Sequence, residues 1–444
     1  MTDTPNYDDH FDAIVVGAGL AGSAAALTMA QEDLEVLVIE RGNYPGAKNV
    51  FGGTMYTPRI RELTGEAFDD APVERYVAEK RFGLLSESDE TAVSMRPGAW
   101  HEEPHNDTYT VLRGDFDEWF ADQASEAGAT IITQTTVTGL VRDDDGSIAG
   151  VETDRPDGTI RAPVVVLAEG GNSLVSEAAD LKETDARDEV AIGVKEVRKY
   201  DRETIQERFN LGEDDGAAYH YFGEGACGGA VGGGFIYTNK RTLAIGLAYT
   251  ISDAIQDDRK PDEVLSDFKE HPAVAPLVKG GRVVEYSAKA IPEGGASAVP
   301  DLAHDGAVIV GDAASLVLNN GIHLEGTNMA VESGYLAGQA VAEAVAEGQT
   351  DAAALQGYPD RLEDSYVLKN LENYDFFGDF AHDEKEFLFG ELPAAVAEAE
   401  KEFFRQDYEP KETHASRAKN MVIRALGGWT GAAKKAWKYR KLLQ

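Results

Sequence analysis

Gly17, Gly19 and Gly22 are spaced G-x-G-x-x-G, and an acid, Glu40, follows about twenty residues further on. Residues of these types at this spacing can hold the pyrophosphate and ribose of a dinucleotide. Gly17 permits the tight turn, Gly19 lets backbone approach the pyrophosphate, and Gly22 lets a helix lie close on a strand. The free N–H groups and positive dipole end of that helix would face the phosphates, and Glu40 would accept hydrogen bonds from the adenosine ribose. The flanking residues supply the required scaffold. Ala13–Val16 reads as a buried strand, the alanine-rich run after Gly19 has helical periodicity, and Val36–Ile39 reads as a second strand.

A second signal lies far downstream. Gly306–Asp312 reads as a buried strand ending in an acid, and an Ala/Gly-rich helix follows from about Gly326 to Glu347. Asp312 could bond a flavin ribitol while helix N–H groups face the flavin O2 and N1, or it could cap an ordinary strand-to-helix turn. Leu112-Arg113-Gly114 leads into an amphipathic helix, Gly114–Gly128. Phe116, Trp119, Phe120, Gln123 and Ala124 share one face of it, and Asp115 is expected to cap its start. Arg113 could reach a phosphate oxygen or remain a solvated loop arginine. No Ser-His-Asp set, metal cluster or paired carboxylate stands out, and no metal ligand or certain catalytic residue is assigned. His323 reads as an isolated candidate near the flavin or as a loop histidine.

Arg113 with Phe116, Asp117 and Trp119, the strand running to Gly170-Gly171, and Gly311-Asp312 resemble the FAD-binding pattern of the glutathione-reductase-2 flavoproteins. Narrower stretches are Tyr44-Pro45-Gly46-Ala47-Lys48-Asn49, Gly234–Lys240, Phe268 with His271-Pro272, Tyr286-Ser287-Ala288 with Ile291–Gly295, and Gly326-Thr327. These resemble the electron-transfer-flavoprotein:quinone oxidoreductases, and most of all their FixC-type flavoprotein subunit, within the wider geranylgeranyl reductase superfamily. The resemblance spans residues 11 to about 345 and leaves the tail uncovered. It implies a non-covalent FAD. The binding residues would be Gly17, Gly19, Gly22, Glu40, Arg41, Arg113, Val137, Gly170, Gly311, Asp312 and Gly321. Lys48, Asn49, Gly52, Gly53, Asn320 and Thr327 would border the isoalloxazine ring and tune its potential.

The same resemblance implies electron flow from the subunits of an electron-transfer flavoprotein toward membrane quinone. Single-chain members carry a cluster domain with four cysteines, and this chain has Cys227 alone. No iron–sulfur cluster is therefore expected in the chain, and a separate ferredoxin-like iron–sulfur subunit is expected beside it. The glycine-rich Gly225–Gly234 stretch could let a flat quinone ring approach or could serve only as flexible strand connections. Three positions depart from the family pattern. Phe51 stands where a small hydroxyl residue is expected, Glu169 where Asp is common, and Asn319–Glu325 differs in detail. The main rival is an isoprenoid-lipid reductase of the geranylgeranyl type, which usually has Cys where Phe51 stands. A flavin monooxygenase and an assembly subunit with a structural FAD are the others.

The fold that must position these residues is α/β. It comprises a Rossmann-like FAD-binding domain, an inserted mixed-sheet substrate domain and a helical C-terminal region. Residues 1–10 read as an acidic tail. Residues 11–80, 113–184 and 295–348 read as a discontinuous FAD-binding domain, and 81–112 with 185–294 as the substrate or quinone domain. Residues 349–444 read as a helical region with a basic tail from 409. Thr130–Val141 reads as one strand, Val164–Ala168 as a buried strand, and Thr242–Tyr249 alternates like an antiparallel one.

The chain has 444 residues, and its 79 acids against 41 bases give a formal charge of −38. Acids spread over the whole length argue against nucleic-acid binding and suit a protein kept hydrated at high salt. The start, MTDTPNYDDH, does not resemble a signal peptide, and no apolar run reaches membrane-spanning length. The expected location is the cytoplasm, with any membrane contact peripheral and on the inner face of the cell membrane. Residues 409–444 reverse the charge, with nine bases and two acids. Ala432–Leu443 has a helical pattern, and Trp429, Trp437 and Tyr439 are aromatics suited to an interface. This tail could fold back on the acidic body, or dock on anionic lipid or on the ferredoxin-like partner.

Overall fold

The computed structural model describes residues 11–48, 52–101, 108–321 and 323–440. The expected strand Ala13–Val16 lies inside a six-stranded sheet with all four residues buried. Val36–Ile39 and Val164–Leu167 flank it in parallel, Ala13 standing in register with both Val36 and Val164. Thr130–Ile132 extends one edge; Ala307–Ile309 and then Ala303–His304 extend the other. Unbroken Val, Ile and Leu runs are what a parallel sheet buried on both faces requires. Helix α1 (Leu20–Gln31) follows the first strand and is buried from Leu20 to Ala30. Its small side chains on every side allow close approach to its neighbours. Helix α2 (Arg113–Glu126) buries Phe116, Phe120 and Ala124 along one face. Helix α3 (Thr327–Glu347) packs against α1, where a Cβ on Gly334 would stand 2.1 Å from the Ala21 carbonyl oxygen.

The second sheet has nine strands. Its order is Arg282–Pro292, Val190–Lys199, Thr242–Thr250, Gly232–Thr238, Asp215–Phe222, Val73–Leu85, Thr108–Leu112 and Gly52–Tyr56, with Glu90–Met95 also paired to Val73–Leu85. Asp215–Phe222 and Val73–Leu85 run parallel, and the other pairs are antiparallel. Val73–Leu85 runs unbroken through residue 80, where the sequence reading divides the chain between two domains.

Other local expectations change. Thr130–Val141 is two strands, because Gln134 takes a left-handed turn (φ 54°) and sends Val137–Arg142 into a separate three-stranded sheet. Asp115 is no cap. Helix α2 already begins at Arg113, so Asp115 lies in its first turn, where a negative charge still suits the dipole.

The C-terminal region is helical, including α4 (Leu392–Phe404), α5 (Lys411–Ala425) and α6 (Gly428–Lys438). His414 of α5 is buried between Glu402 and Asp407, 2.9 Å from a carboxylate oxygen of each. Part of the basic tail folds back: Lys435, Lys438 and Tyr439 converge on Glu384 at 2.8, 2.6 and 2.7 Å. Trp429 and Trp437 remain about two-thirds exposed, at 68% and 69%. Lys441 and Leu443, like residues 1–10, lie outside the described residues. No helix among the described residues is long and apolar enough to cross a membrane.

Candidate functional site

A cavity of about 620 Å³ is lined by residues of both large sheets. The N-terminus of α1 opens onto it through Gly19, Leu20 and Ala21. Gly17 also lines it and has φ +102°; a Cβ there would meet the Ala168 carbonyl oxygen at 2.6 Å. Gly19 is extended, with φ −78° and ψ −176°. Gly22 does not line the cavity: a Cβ would stand 1.9 Å from the Gly17 carbonyl oxygen, and this near-contact seats α1 on the first strand. Glu40 accepts the Ala18 N–H at 3.0 Å and the Gly42 N–H at 2.6 Å. Both carboxylate oxygens are thereby fixed at the cavity wall with lone pairs to spare. Arg41 and Val137 line the same wall.

Arg113 is not a solvated loop residue. Its Nε and Nη2 donate to the two oxygens of Asp117 at 2.6 and 2.7 Å, a bidentate pair that fixes the guanidinium plane beside the cavity. Burial works to lower its pKa, but Asp117 and Asp312 outweigh it and hold the group firmly charged. Asp312 lines the cavity and stands 3.5 Å from Lys289 Nζ. Gly311 has φ +64° and packs its bare Cα toward Ala21, outside the lining. Gly170, also in the left-handed region, does line the cavity. Glu169 is spent locally, accepting the Val175 and Ser176 N–H groups at 2.7 Å each, at the start of the short helix Leu174–Ala178.

Lys48, Gly53, Gly321 and Thr327 line the cavity. Gly52 pairs with Leu112 at the start of its strand, and Asn320 shapes the turn before His323 by accepting its N–H at 3.0 Å. Asn320 does not line the cavity. Asn49, Phe51 and Ile322 lie outside the described residues. In the glycine-rich stretch, Gly232, Gly233 and Gly234 present bare backbone to the cavity beside Phe222, Phe235 and Tyr237. Gly234 is held to glycine by the Phe268 ring, 2.7 Å from where a Cβ would be. Gly225 packs on the Ser86 carbonyl instead.

Sequence reasoning passed over several lining residues. Phe377 and Phe389 bring the C-terminal region to the cavity wall, a long-range contact that local pattern does not announce. His220 and Lys289 sit on strands whose cavity-facing positions emerge only from sheet register. Glu293 is an acid between Pro292 and Gly294 at a strand end, which is its one sequence signal. Burial pushes its carboxyl up from an ordinary 4.5 to about 7, against the opposing hydrogen bond from Asn319 at 3.2 Å. The folded chain thus holds a proton that the unfolded chain has released, and this contribution to stability is lost as pH rises from about 4.5 toward 7 and above. Glu293→Gln removes that loss. It is expected to be more stable than wild type at pH 8, by up to about 3 kcal/mol, and to match it near pH 4 in thermal melts. An equal difference at both pH values would refute the assignment.

The donor set fits an FAD. A helix N-terminus and a glycine turn suit the pyrophosphate, a fixed carboxylate suits the ribose, and a second carboxylate at a strand end suits the ribitol.

Comparison with known proteins agrees. The FAD dependent oxidoreductase family matches residues 12–192, the "ETF-QO, ubiquinone-binding" family residues 190–291, and the ETF-QO/FixC family C-terminal domain residues 377–443. The last match corrects the expectation that family likeness stops before the tail. Protein FixC of Bradyrhizobium diazoefficiens is 41% identical over 98% of this chain and 99% of its own length. A probable electron transfer flavoprotein-quinone oxidoreductase, YdiS of Escherichia coli, is 38% identical over 91% of this chain and 93% of its own. Among solved structures, a geranylgeranyl bacteriochlorophyll reductase-like protein from Thermoplasma acidophilum superposes with a TM-score of 0.70 at 18% identity, covering 97% of this chain and 99% of its own, a likeness of fold. Near-complete coverage by such relatives, with three successive family matches along one chain, places this protein in the FixC and ETF-QO family of FAD-dependent oxidoreductases.

Proposed function

We propose that this oxidoreductase takes electrons from an electron-transfer flavoprotein and passes them toward membrane quinone, working with a separate ferredoxin-like iron–sulfur subunit. The observation that carries this reading is the shape of the cavity wall. One continuous cavity joins the dinucleotide-type cradle to a floor of bare glycine backbone and aromatic rings, in the stretch that matches the ubiquinone-binding family. FAD supplies the redox chemistry when bound, accepting and releasing electrons. The chain's own residues orient it. Gly17, Gly19, Glu40, Arg41, Val137 and Gly170 would hold its nucleotide half, and Arg113 its phosphates. Asp312 would hold the ribitol, and Lys48, Gly53, Gly321 and Thr327 would border the ring. Gly22 and Gly311 serve the same end by packing.

The need for a partner rests on Cys227. It is the only cysteine of the chain, it is buried, and burial pushes its thiol pKa strongly up. Such a thiol is poorly suited to ligating a metal cluster. The test is reconstitution: the FAD-loaded chain with a reduced electron-transfer flavoprotein, a quinone, and the ferredoxin-like subunit present or absent. Quinone reduction is expected only with the subunit. Full rates from this chain alone would end the partner proposal, and reduction of a polyprenyl lipid instead would favour the lipid-reductase rival.

We assign membrane or partner docking to the exposed aromatics of α6. Lys435 and Lys438 are occupied by Glu384, so the unspent features are Trp429, Trp437 and the exposed bases around them. Trp429→Ser with Trp437→Ser is expected to lose flotation with anionic vesicles, and partner retention, while keeping its FAD and melting temperature. Unchanged flotation and retention in that double variant would make the tail only a self-packing helix.

A further inference from the structure

Lys80, Tyr56, His323 and Glu325 form a hydrogen-bonded chain that ends at the cavity. Lys80 Nζ donates to the Tyr56 hydroxyl at 3.2 Å, that hydroxyl lies 3.1 Å from His323 Nε2, and the same nitrogen lies 2.9 Å from a Glu325 oxygen. His323 lines the cavity. Lys80, at the other end, is half-buried with its ammonium 5.7 Å from the Trp100 ring.

One ring nitrogen carries at most one hydrogen, and it meets two partners here. With the hydrogen present, Nε2 donates to the Glu325 carboxylate. With it absent, the lone pair accepts the Tyr56 hydroxyl hydrogen. These are the two positions of a proton switch. The surroundings hold Glu325 in place, since the side-chain amides of Asn320 and Asn328 donate to it at 3.4 and 3.0 Å.

The titratable groups around His323 are Tyr56, Lys80, Glu325 and His220, with Tyr237 behind His220. Each is suited to a different part. Burial, then His323 and Lys80, pushes the pKa of His220 down to about 3, so this ring stays neutral and stacks on Phe82. Burial also lowers the pKa of Lys80, which eases release of its proton. Burial and Glu325 raise that of Tyr56, which therefore passes protons as a hydroxyl and not as a phenolate. Burial works to raise the pKa of Glu325, but the bond from His323 prevails and keeps it a carboxylate.

We propose that Lys80, Tyr56 and His323 relay protons from solvent to the quinone reduced in this cavity, with Glu325 holding the imidazole between them. The proposal rests on the quinone reading above. Converting a quinone to a quinol takes two electrons, which the bound FAD would supply, and two protons. For each proton, the Nδ1–H bond of His323 breaks as an O–H bond forms on the quinone, while Nε2 takes the hydrogen of the Tyr56 hydroxyl; a turn of the ring then exchanges the two nitrogens before the next delivery. Tyr56 regains its hydrogen from the Lys80 ammonium, and Lys80 from water. The cycle runs twice per quinone, and the proton count closes. His323 is the residue at the substrate; Tyr56 and Lys80 act through it.

The experiment uses the FAD-loaded full chain, with the ferredoxin-like subunit, reduced by dithionite and mixed with a short-chain ubiquinone or with ferricyanide, which takes an electron and no proton. Tyr56→Phe, Lys80→Met and His323→Gln are expected to lower the ratio of quinone to ferricyanide turnover at least ~tenfold. They should also shift its pH profile and enlarge the solvent deuterium effect. A readout independent of turnover is the reduced-minus-oxidised infrared spectrum with quinone present. Its imidazole band should vanish in His323→Gln and weaken in Tyr56→Phe. If wild type reduces quinone and the variants keep the ratio, the isotope effect and the band, the relay is overturned. If wild type reduces ferricyanide but no quinone, the quinone reading falls, and the relay with it.

Discussion

Gly22→Val is expected to leave no folded protein, whereas Gly19→Trp is expected to fold and to lack FAD. The two glycines belong to one motif but answer to different physics. A Cβ at Gly22 would lie 1.9 Å from the Gly17 carbonyl oxygen, a backbone atom that no rotamer change can move aside. Helix α1 would have to lift off the first strand. It is buried along Leu20–Ala30 and packed on α3 through Gly334, so nothing around it can give. Overpacking of yielding side chains costs about 1–3 kcal/mol. An unyielding backbone contact at the centre of the sheet costs more, against a total stability of about 5–15 kcal/mol. Gly19, by contrast, sits at φ −78° and ψ −176°, a conformation open to any residue, and faces the cavity. A tryptophan there fills space meant for the pyrophosphate and leaves the fold alone. The measurements are soluble yield, the far-ultraviolet circular dichroism melt of the FAD-free proteins, and flavin absorbance per chain. A folded yellow Gly22→Val, or a Gly19→Trp with full FAD, would contradict the division of roles.

That division shows how far the sequence could be read. The strand, helix, strand and acid around Gly17 are contiguous and periodic, and the structure returns both strands with the boundaries that periodicity gives and a helix between them. Thr130–Val141 misled because β-propensity is continuous through a left-handed turn at Gln134, a residue without a glycine's signature. Asp115 misled by its type: capping residues and first-turn acids look alike until the helix start is known to one residue. The relay around His323 was out of reach for another reason. Tyr56, Lys80 and His323 come from three distant stretches, two on strands of the nine-stranded sheet and one in a loop, and only the tertiary fold makes them neighbours. His323 looks isolated in sequence because, apart from Glu325 two residues on, its partners are local only in space.

Salt is expected to decide whether the chain folds at all. The formal charge of −38 stays almost wholly on the surface, because few charged groups are buried among the described residues, seven acids and three bases. Arg75 is buried and donates to backbone carbonyls of Asn239 and Asp215 at 2.9 Å each, and Lys182 and Lys195 are also buried. A chain of 444 residues folds to a sphere of roughly 28 Å radius. Spread over it, the net charge stores on the order of 30 kcal/mol at 0.1 M salt and on the order of 10 kcal/mol at 1 M, where the Debye length shrinks from about 10 to about 3 Å. The expanded unfolded chain feels only a few kcal/mol of the same change, because its charges are far apart. The difference is on the order of 15 kcal/mol in favour of folding at molar salt, comparable to the whole stability of a typical domain. The FAD-loaded protein should therefore lose its cooperative melt and release flavin below a few tenths molar potassium chloride, and recover both in molar salt. Melting in sodium sulfate and in potassium chloride at matched ionic strength separates charge screening from the general strengthening of apolar burial, since sulfate adds mainly the latter. Melting temperatures that stay flat between 0.1 and 2 M potassium chloride would show that the acids are balanced locally and that the net charge does not govern the fold.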